Sequence, residues 1–314
     1  MDTNMVLLNA LIFVISLGVL VKASDWFVEG AEQIGLSIGI SPFVIGVTIV
    51  AFGTSLPELA TSVASVIYGN SEIVIGNVVG SNVTNILVVL GVTAIWGKVI
   101  HLGHNIMDID MPLLIISALL LFYVITDLHV SSIEVFILLG AMLSFLIGSF
   151  GNNQQDTERV KSKFEWMALV KLIVGGVLVW LGADFTIRSI QVLSEAGGIS
   201  PDAIAISAVA IGTSLPEIVV SITAARRGQT EMAVGNVLGS NIFNTYFVMG
   251  IPAIFGDLVI PEEFRSVYLP FMLGVTGIFA FICHSGRISR WEGLALVFFY
   301  ILFLAEVARL GIGT

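Results

Sequence analysis

The octapeptide Ala51-Phe52-Gly53-Thr54-Ser55-Leu56-Pro57-Glu58 returns as Ala210-Ile211-Gly212-Thr213-Ser214-Leu215-Pro216-Glu217. Each copy lies inside a long apolar run and sets a proline one residue before a carboxylate. Proline lacks an N–H, and its ring clashes with the carbonyl four residues back, that of Gly53 or Gly212. Backbone groups freed at membrane depth must find other partners, and hard cations take oxygen ligands. An ionisable side chain at that depth marks a functional site. Two matched copies therefore point to a symmetric cation site at the bilayer midplane.

Composition sets the class. The 314 residues are 56% hydrophobic and 11% charged, with a mean hydropathy of +1.00. A soluble domain carries about 25% charged residues, so the chain is an all-α polytopic membrane protein embedded in a lipid bilayer. The net charge of −10 excludes a nucleic-acid-binding surface. Cys283 is the single cysteine, so no internal disulfide forms. No Lys or Arg precedes the first apolar run, which therefore reads as a spanning helix rather than a cleaved leader.

Counting ~20 mostly apolar residues per span gives ten segments, near 5–23, 42–68, 73–96, 111–126, 131–149, 165–183, 201–225, 231–256, 267–284 and 291–311. The longest polar stretch, GNNQQDTERVKSK at 151–163, divides the chain into a first half (1–150), a linker and a second half (164–314). The halves are repeats. A shift of 159 residues, without a gap, gives 25 identities in the 53 positions from Gly39 to Gly91. Five spans per repeat is odd, so the second copy enters from the opposite side, the inverted-repeat plan of many transporters. With both termini outside and the linker cytoplasmic, inner loops and helix ends hold nine Lys and Arg and outer ones three, Lys171 within the sixth segment being set aside. That bias follows the positive-inside rule.

Oxygen donors gather around the two motifs. Thr54, Ser55 and Glu58 are followed in the next helix by Ser81 and Asn85; the second repeat supplies Thr213, Ser214 and Glu217, then Ser240 and Asn244. Thr54 and Glu58, like Ser81 and Asn85, are four apart and share a helical face. No His or Cys lies in the motifs, which disfavours Zn2+ or Cu+. Two carboxylates are neutralised by one Ca2+, two Na+ or two H+, and loads that compete for one cage can be exchanged. A lone Thr or Pro in such a helix usually only shapes it, whereas two matched apolar-flanked Glu do not arise from packing. Gly76/Gly80 and Gly235/Gly239 read as close helix contacts. Asn77, Asn82, Asn236 and Asn241 are open between ligand, backbone clamp and interhelical contact. Asp108 and Asp110 are expected to complement the dipole of the fourth helix.

The two GTSLPE motifs, each followed by Gly-Asn-Val-x-Gly-Ser-Asn (from Gly76 and Gly235), resemble the α-repeats of the sodium/calcium exchanger family, within the wider calcium:cation antiporters. The resemblance covers nearly the whole chain. It implies an antiporter that moves Ca2+ one way and Na+ or H+ the other through one alternating-access site, with the first and sixth helices sliding against the rest. It implies that Glu58 and Glu217 hold Ca2+, and that Thr54, Ser55, Thr213 and Ser214 give hydroxyl or carbonyl oxygens. Ala51 and Ala210 would offer carbonyls to Na+, and Ser81, Asn85 and Ser240 would complete the flanking Na+ sites. Where some prokaryotic members carry Asp, this chain has Asn244, which keeps the site at two carboxylates and leaves Ca2+/H+ exchange as the alternative. The reading is of a cell-membrane antiporter with no catalytic residues, no cofactor and no obligate protein partner. A passive channel fits a broken midplane site poorly, and an intramembrane metalloprotease would need a His-Glu-x-x-His helix.

Overall fold

The computed structural model describes residues 3–97, 99–102, 106, 110–151, 164–196 and 213–311. Within them the chain forms helices α1 (Thr3–Ile38), α2 (Pro42–Ile67), α3 (Glu72–Gly97), α4 (Met111–Val124) and α5 (Ser132–Gly151). They continue as α6 (Trp166–Ala196), α7 (Leu215–Arg226), α8 (Thr230–Ile254), α9 (Phe264–Cys283) and α10 (Arg290–Gly311). Seven of these, α1, α2, α3, α5, α6, α8 and α9, are long and apolar enough to cross a membrane, and α4 is a shorter apolar helix. The linker from 152 to 163 and the start of the seventh segment, 201–212, lie outside the described residues.

Two helices run further than hydropathy indicates. The first segment, expected to end at 23, continues to Ile38, and the sixth, expected to end at 183, continues to Ala196. At 1.5 Å per residue α1 is about 54 Å long, well beyond a ~30 Å hydrocarbon core. Hydropathy stops at the first charges, but here charges are paired along the helix. Asp25 faces Lys22 at 3.9 Å, Glu29 takes Lys171 Nζ at 2.6 Å, Glu32 accepts from Gln229, and Arg188 Nε meets Asp184 at 2.9 Å.

α1 and α6 pack antiparallel along their length. Gly30 lies against Ala168 and Leu172, Gly175 against Phe27, and Gly182 against Leu20; a Cβ at Gly30 would sit 2.5 Å from Leu172 N. In lipid, such small residues let backbones approach and dispersion act. With the N-terminal part of α2, with α7 and with the first turn of α8, this pair shares one apolar cluster, including Leu20, Phe27, Val28, Ile45, Val179 and Val220. A larger cluster binds α3, α4, α5, α8, α9 and α10 through residues such as Val78, Leu87, Leu121, Leu138, Leu238 and Phe279.

Contacts between connections sort the bundle into two ends. At one, β1 (Val99–His101), after α3, pairs antiparallel with β2 (Arg287–Ser289), before α10. Arg226 at the end of α7 stacks over Trp96 at the end of α3, 5.9 Å from the ring centroid. The Glu32–Gln229 and Glu29–Lys171 contacts tie the end of α1 to the α7–α8 turn and to the start of α6 at this same end. At the other end, Val259 N donates to Ser71 Oγ at 3.0 Å and Arg265 Nη1 to the Thr126 carbonyl at 3.0 Å, joining the α2–α3, α4–α5 and α8–α9 connections.

Asp110 departs from expectation. It precedes α4 but makes no side-chain cap bond, and it is buried at 8% exposure. Burial pushes its carboxyl up to about 7.

Candidate cation site

The sequence GTSLP breaks helix α2, and in the second copy, described from Thr213 on, it leads directly into α7. In α2 the break falls at Ser55 (φ −89°, ψ 3°), and the matching turn before α7 at Ser214 (φ −87°, ψ 6°). Leu56-Pro57 and Leu215-Pro216 then start a new helix, with Pro in its first turn, where no N–H is needed. Glu58 and Glu217 fall in that same first turn. The break thus falls between Thr54 and Glu58, so the regular helix on which a shared face is expected is interrupted between them. Opposite, α3 and α8 widen from α to π hydrogen bonding over Asn85–Leu90 and Asn244–Val248. Both widenings begin at the matched asparagine. Such π turns inside α-helices recur at functional sites.

Close packing brings the halves together. Gly235 and Gly239 of α8 lie on the α2 backbone, where a Cβ would be 2.5 Å from the Phe43 carbonyl oxygen and 2.3 Å from that of Val47. The matching neighbours of Gly76 and Gly80 would be residues 202–206, outside the described residues.

Glu58, Glu217, Ser55, Ser214, Asn85, Ser240 and Asn244 are fully buried, Thr54, Ala51 and Ser81 nearly so, and Thr213 half-buried. Ala210 lies outside the described residues. Two contacts repeat under the 159-residue shift: Thr54 Oγ1 meets Ser240 Oγ at 3.5 Å, and Thr213 Oγ1 meets Ser81 Oγ at 3.2 Å. Each motif threonine therefore touches the facing helix of the other half. Ser55 Oγ donates to Glu217 Oε1 at 3.2 Å. The Glu217 charge acts on Glu58.

Many polar atoms here have no protein partner. Both Glu58 oxygens, Glu217 Oε2, Ser214 Oγ and both amide atoms of Asn85 and Asn244 are buried without a hydrogen bond among the described residues. A buried carboxylate left alone costs several kcal/mol. They come from α2, α3, α7 and α8, and the oxygens among them are of the kind that hard cations take. The described residues contain no cluster of three or more His, Cys, Asp and Glu; the donor set is two carboxylates with hydroxyls and amides, suited to hard cations rather than Zn2+.

The open asparagines now divide. Asn77 Nδ2 donates to the Glu58 carbonyl at 3.0 Å and Ser62 Oγ at 2.9 Å, and Asn236 Nδ2 donates to Ser221 Oγ at 2.9 Å. Asn82 Nδ2 bridges to Thr245 Oγ1 at 3.0 Å, while the Asn241 amide has no hydrogen bond among the described residues. Ser62 and Ser221 were missed in the sequence, although they are identical across the repeat and fall one turn after each Glu.

A membrane-embedded helical protein in which two copies of one proline-bearing turn, at Ser55 and Ser214, each open a helix carrying a buried glutamate is the class that this fold and site define. The chain belongs to the sodium/calcium exchanger protein family, whose pattern matches residues 8–151 and 167–307. It is 33% identical to the sodium/calcium exchanger MaX1 of Methanosarcina acetivorans, over 96% of this chain and 98% of that protein. It is 30% identical to the inner membrane protein YrbG of Escherichia coli, over 95% and 96%. A solved structure of the sodium-calcium exchanger NCX_Mj superposes with a TM-score of 0.85 at 31% identity, covering 96% of this chain and 99% of that one.

Proposed function

We propose that this chain is a secondary active antiporter that exchanges Ca2+ for Na+ across the cell membrane by alternating access. Its site would lie at the bilayer midplane, built on Glu58 and Glu217 with Thr54, Ser55, Thr213, Ser214, Ser81, Asn85, Ser240, Asn244 and the carbonyls of Ala51 and Ala210. The observation that carries the reading is the set of unpartnered carboxylate and amide atoms buried in α2, α3, α7 and α8. Family membership and the relatives named as sodium/calcium exchangers agree with it.

Ten spans in two inverted halves suit the same reading. Repeat-equivalent α1 and α6 run antiparallel, and the contacts between connections fall into two ends as alternating spans require. The close packing of α1 on α6 along their length, by an apolar cluster distinct from that of α3, α4, α5, α9 and α10, suits a pair that slides against a core. The positive-inside bias puts both termini outside.

Ca2+/H+ exchange is the second reading. Asn85 and Asn244 are neutral, so two carboxylates are the titratable groups of the site, and two protons neutralise what one Ca2+ does.

Ca2+ uptake into sealed proteoliposomes loaded with Na+ and diluted into Na+-free buffer at equal pH, with a proton ionophore present, separates the two. Uptake that requires internal Na+ is expected. Uptake only under an imposed pH gradient, without ionophore, transfers the protein to the proton-coupled reading.

A further inference from the structure

The amides of Asn77 and Asn236 stand one layer behind the site and are wired in matching fashion. Each Nδ2 is anchored in its own half on the serine one turn after the glutamate, Ser62 for Asn77 and Ser221 for Asn236, both at 2.9 Å. Each Oδ1 faces one member of a Thr–Ser pair that joins the halves. Asn236 Oδ1 accepts from Thr54 Oγ1 at 3.2 Å, and Asn77 Oδ1 accepts from Ser81 Oγ at 3.3 Å. The Asn77 orientation is fixed by chemistry, because the Glu58 carbonyl at 3.0 Å can only accept. Both side chains are at most 3% exposed.

A hydroxyl that ligates a cation must turn its lone pairs to the ion and its hydrogen elsewhere. Thr54 Oγ1 has competing partners: Asn236 Oδ1, the Ala51 carbonyl at 3.3 Å, and Ser240 Oγ at 3.5 Å. A hydrogen turned toward the carboxylates would point into the site and oppose a cation there. A hydrogen held by Asn236 points out of it.

We propose that Asn77 and Asn236 are positioning residues that draw the hydroxyl hydrogens of Ser81 and Thr54 out of the site, so that these oxygens meet the cation with their lone pairs. They act through the hydroxyls, not as ligands. The inference rests on the cation-site reading above and adds a proton-orientation layer to it. The anchors Ser62 and Ser221 belong to the helices that follow the breaks. Each amide therefore couples a break to a hydroxyl pair shared by both halves.

The test is a double-mutant cycle on Ca2+ affinity, read by calorimetry on the purified full chain in detergent, independent of any counter-ion. Asn236→Ala is expected to weaken Ca2+ binding about 10-fold, the lower range for loss of an outer-layer partner of a metal ligand. In a Thr54→Val background the same change is expected to cost less than about 2-fold, because the hydroxyl it serves is gone. Asn236→Asp keeps an acceptor for Thr54 and is expected to bind Ca2+ no more weakly than the wild type. Equal losses from Asn236→Ala in both backgrounds, or equal losses from the Ala and Asp variants, overturn the inference. Should Asn236→Ala not yield monodisperse protein, the Asp variant and the matching cycle of Asn77→Ala with Ser81→Ala decide it. Wild-type protein that binds no Ca2+ overturns the inference together with the reading beneath it; binding with an additive cycle overturns the inference alone.

Discussion

Ser55 Oγ donates to Glu217 Oε1 at 3.2 Å, so the helix break of one half is held by the carboxylate of the other. The repeat-equivalent pair, Ser214 and Glu58, makes no such bond: Ser214 Oγ and both Glu58 oxygens are buried without a partner among the described residues. A chemically symmetric site is thus wired unequally, and the two glutamates respond differently to neutralisation.

Glu58→Gln and Glu217→Gln are each expected to lower Ca2+ transport at least about 100-fold, since loss of even an outer-layer partner of a metal ligand costs roughly 10–100-fold and these are the proposed charged ligands themselves. Both variants should still fold. In chelator, without cation, Glu58→Gln should gain more thermal stability than Glu217→Gln, because Glu217 already has a hydroxyl donor worth about 1.5–3 kcal/mol to a charged acceptor. Thermal denaturation in detergent and uptake in proteoliposomes check both points. Full transport by either variant would falsify the site.

Gly239 carries the contact that brings α8 onto α2. A Cβ there would lie 2.3 Å from the Val47 carbonyl oxygen, and backbone on both sides leaves no flexible atom to yield. Gly239→Ala is expected to cost about 1–3 kcal/mol or more, the range for overpacking a tight contact. Gly140 of α5 has nothing within 4 Å of its Cβ position, so Gly140→Ala is the control, expected to be neutral or stabilising by up to ~1 kcal/mol. The paired melting temperatures report the difference.

Much of this was legible in the sequence, for reasons tied to particular residues. Pro57 and Pro216 announced the breaks because proline removes a donor wherever it stands. The 159-residue shift announced the partner of every motif residue. Helix ends were less legible. Lys22, Asp25, Glu29 and Glu32 interrupt the hydropathy of α1, yet ion pairs and hydrogen bonds, one to Lys171 in the other half, carry the helix on to Ile38. The π turns at Asn85 and Asn244 have no local signature, because they arise from packing around the site. The roles of Asn77 and Asn236 depend on Ser62 and Ser221, whose proximity only the fold creates.

Asp110 gives a pH dependence outside the site. Its carboxyl, raised by burial from 3.8 to about 7, binds its proton more tightly folded than unfolded. Its favourable contribution is complete below pH about 4 and is lost as pH rises through about 7, so the charged form is what destabilises. At about 1.4 kcal/mol per unit the ceiling is roughly 4 kcal/mol. Asp110→Asn should therefore be more stable than the wild type at pH 8, with the gap closing toward pH 4. Melting curves across that range that run parallel would show that the folded protein does not bury the charged form.

The arrangement of the two ends can be read with thiol chemistry. Cys283 is buried, so a Cys283→Ala chain provides a background for single cysteines. Asn70 and Asp127 are exposed on the α2–α3 and α4–α5 connections, and Ser285 on the α9–α10 connection. The contacts Ser71–Val259 and Arg265–Thr126 hold the first two connections at one end, while pairing of β1 with β2 puts the third at the other. In the proposed orientation, with Lys and Arg enriched inside, the first end is external. In intact cells, a membrane-impermeant maleimide is expected to modify Asn70→Cys and Asp127→Cys and to spare Ser285→Cys until the membrane is opened. The reverse pattern would invert the orientation but keep the fold. Modification of all three from one side would break the alternation of spans, and with it the reading of two oppositely oriented halves meeting at Glu58 and Glu217.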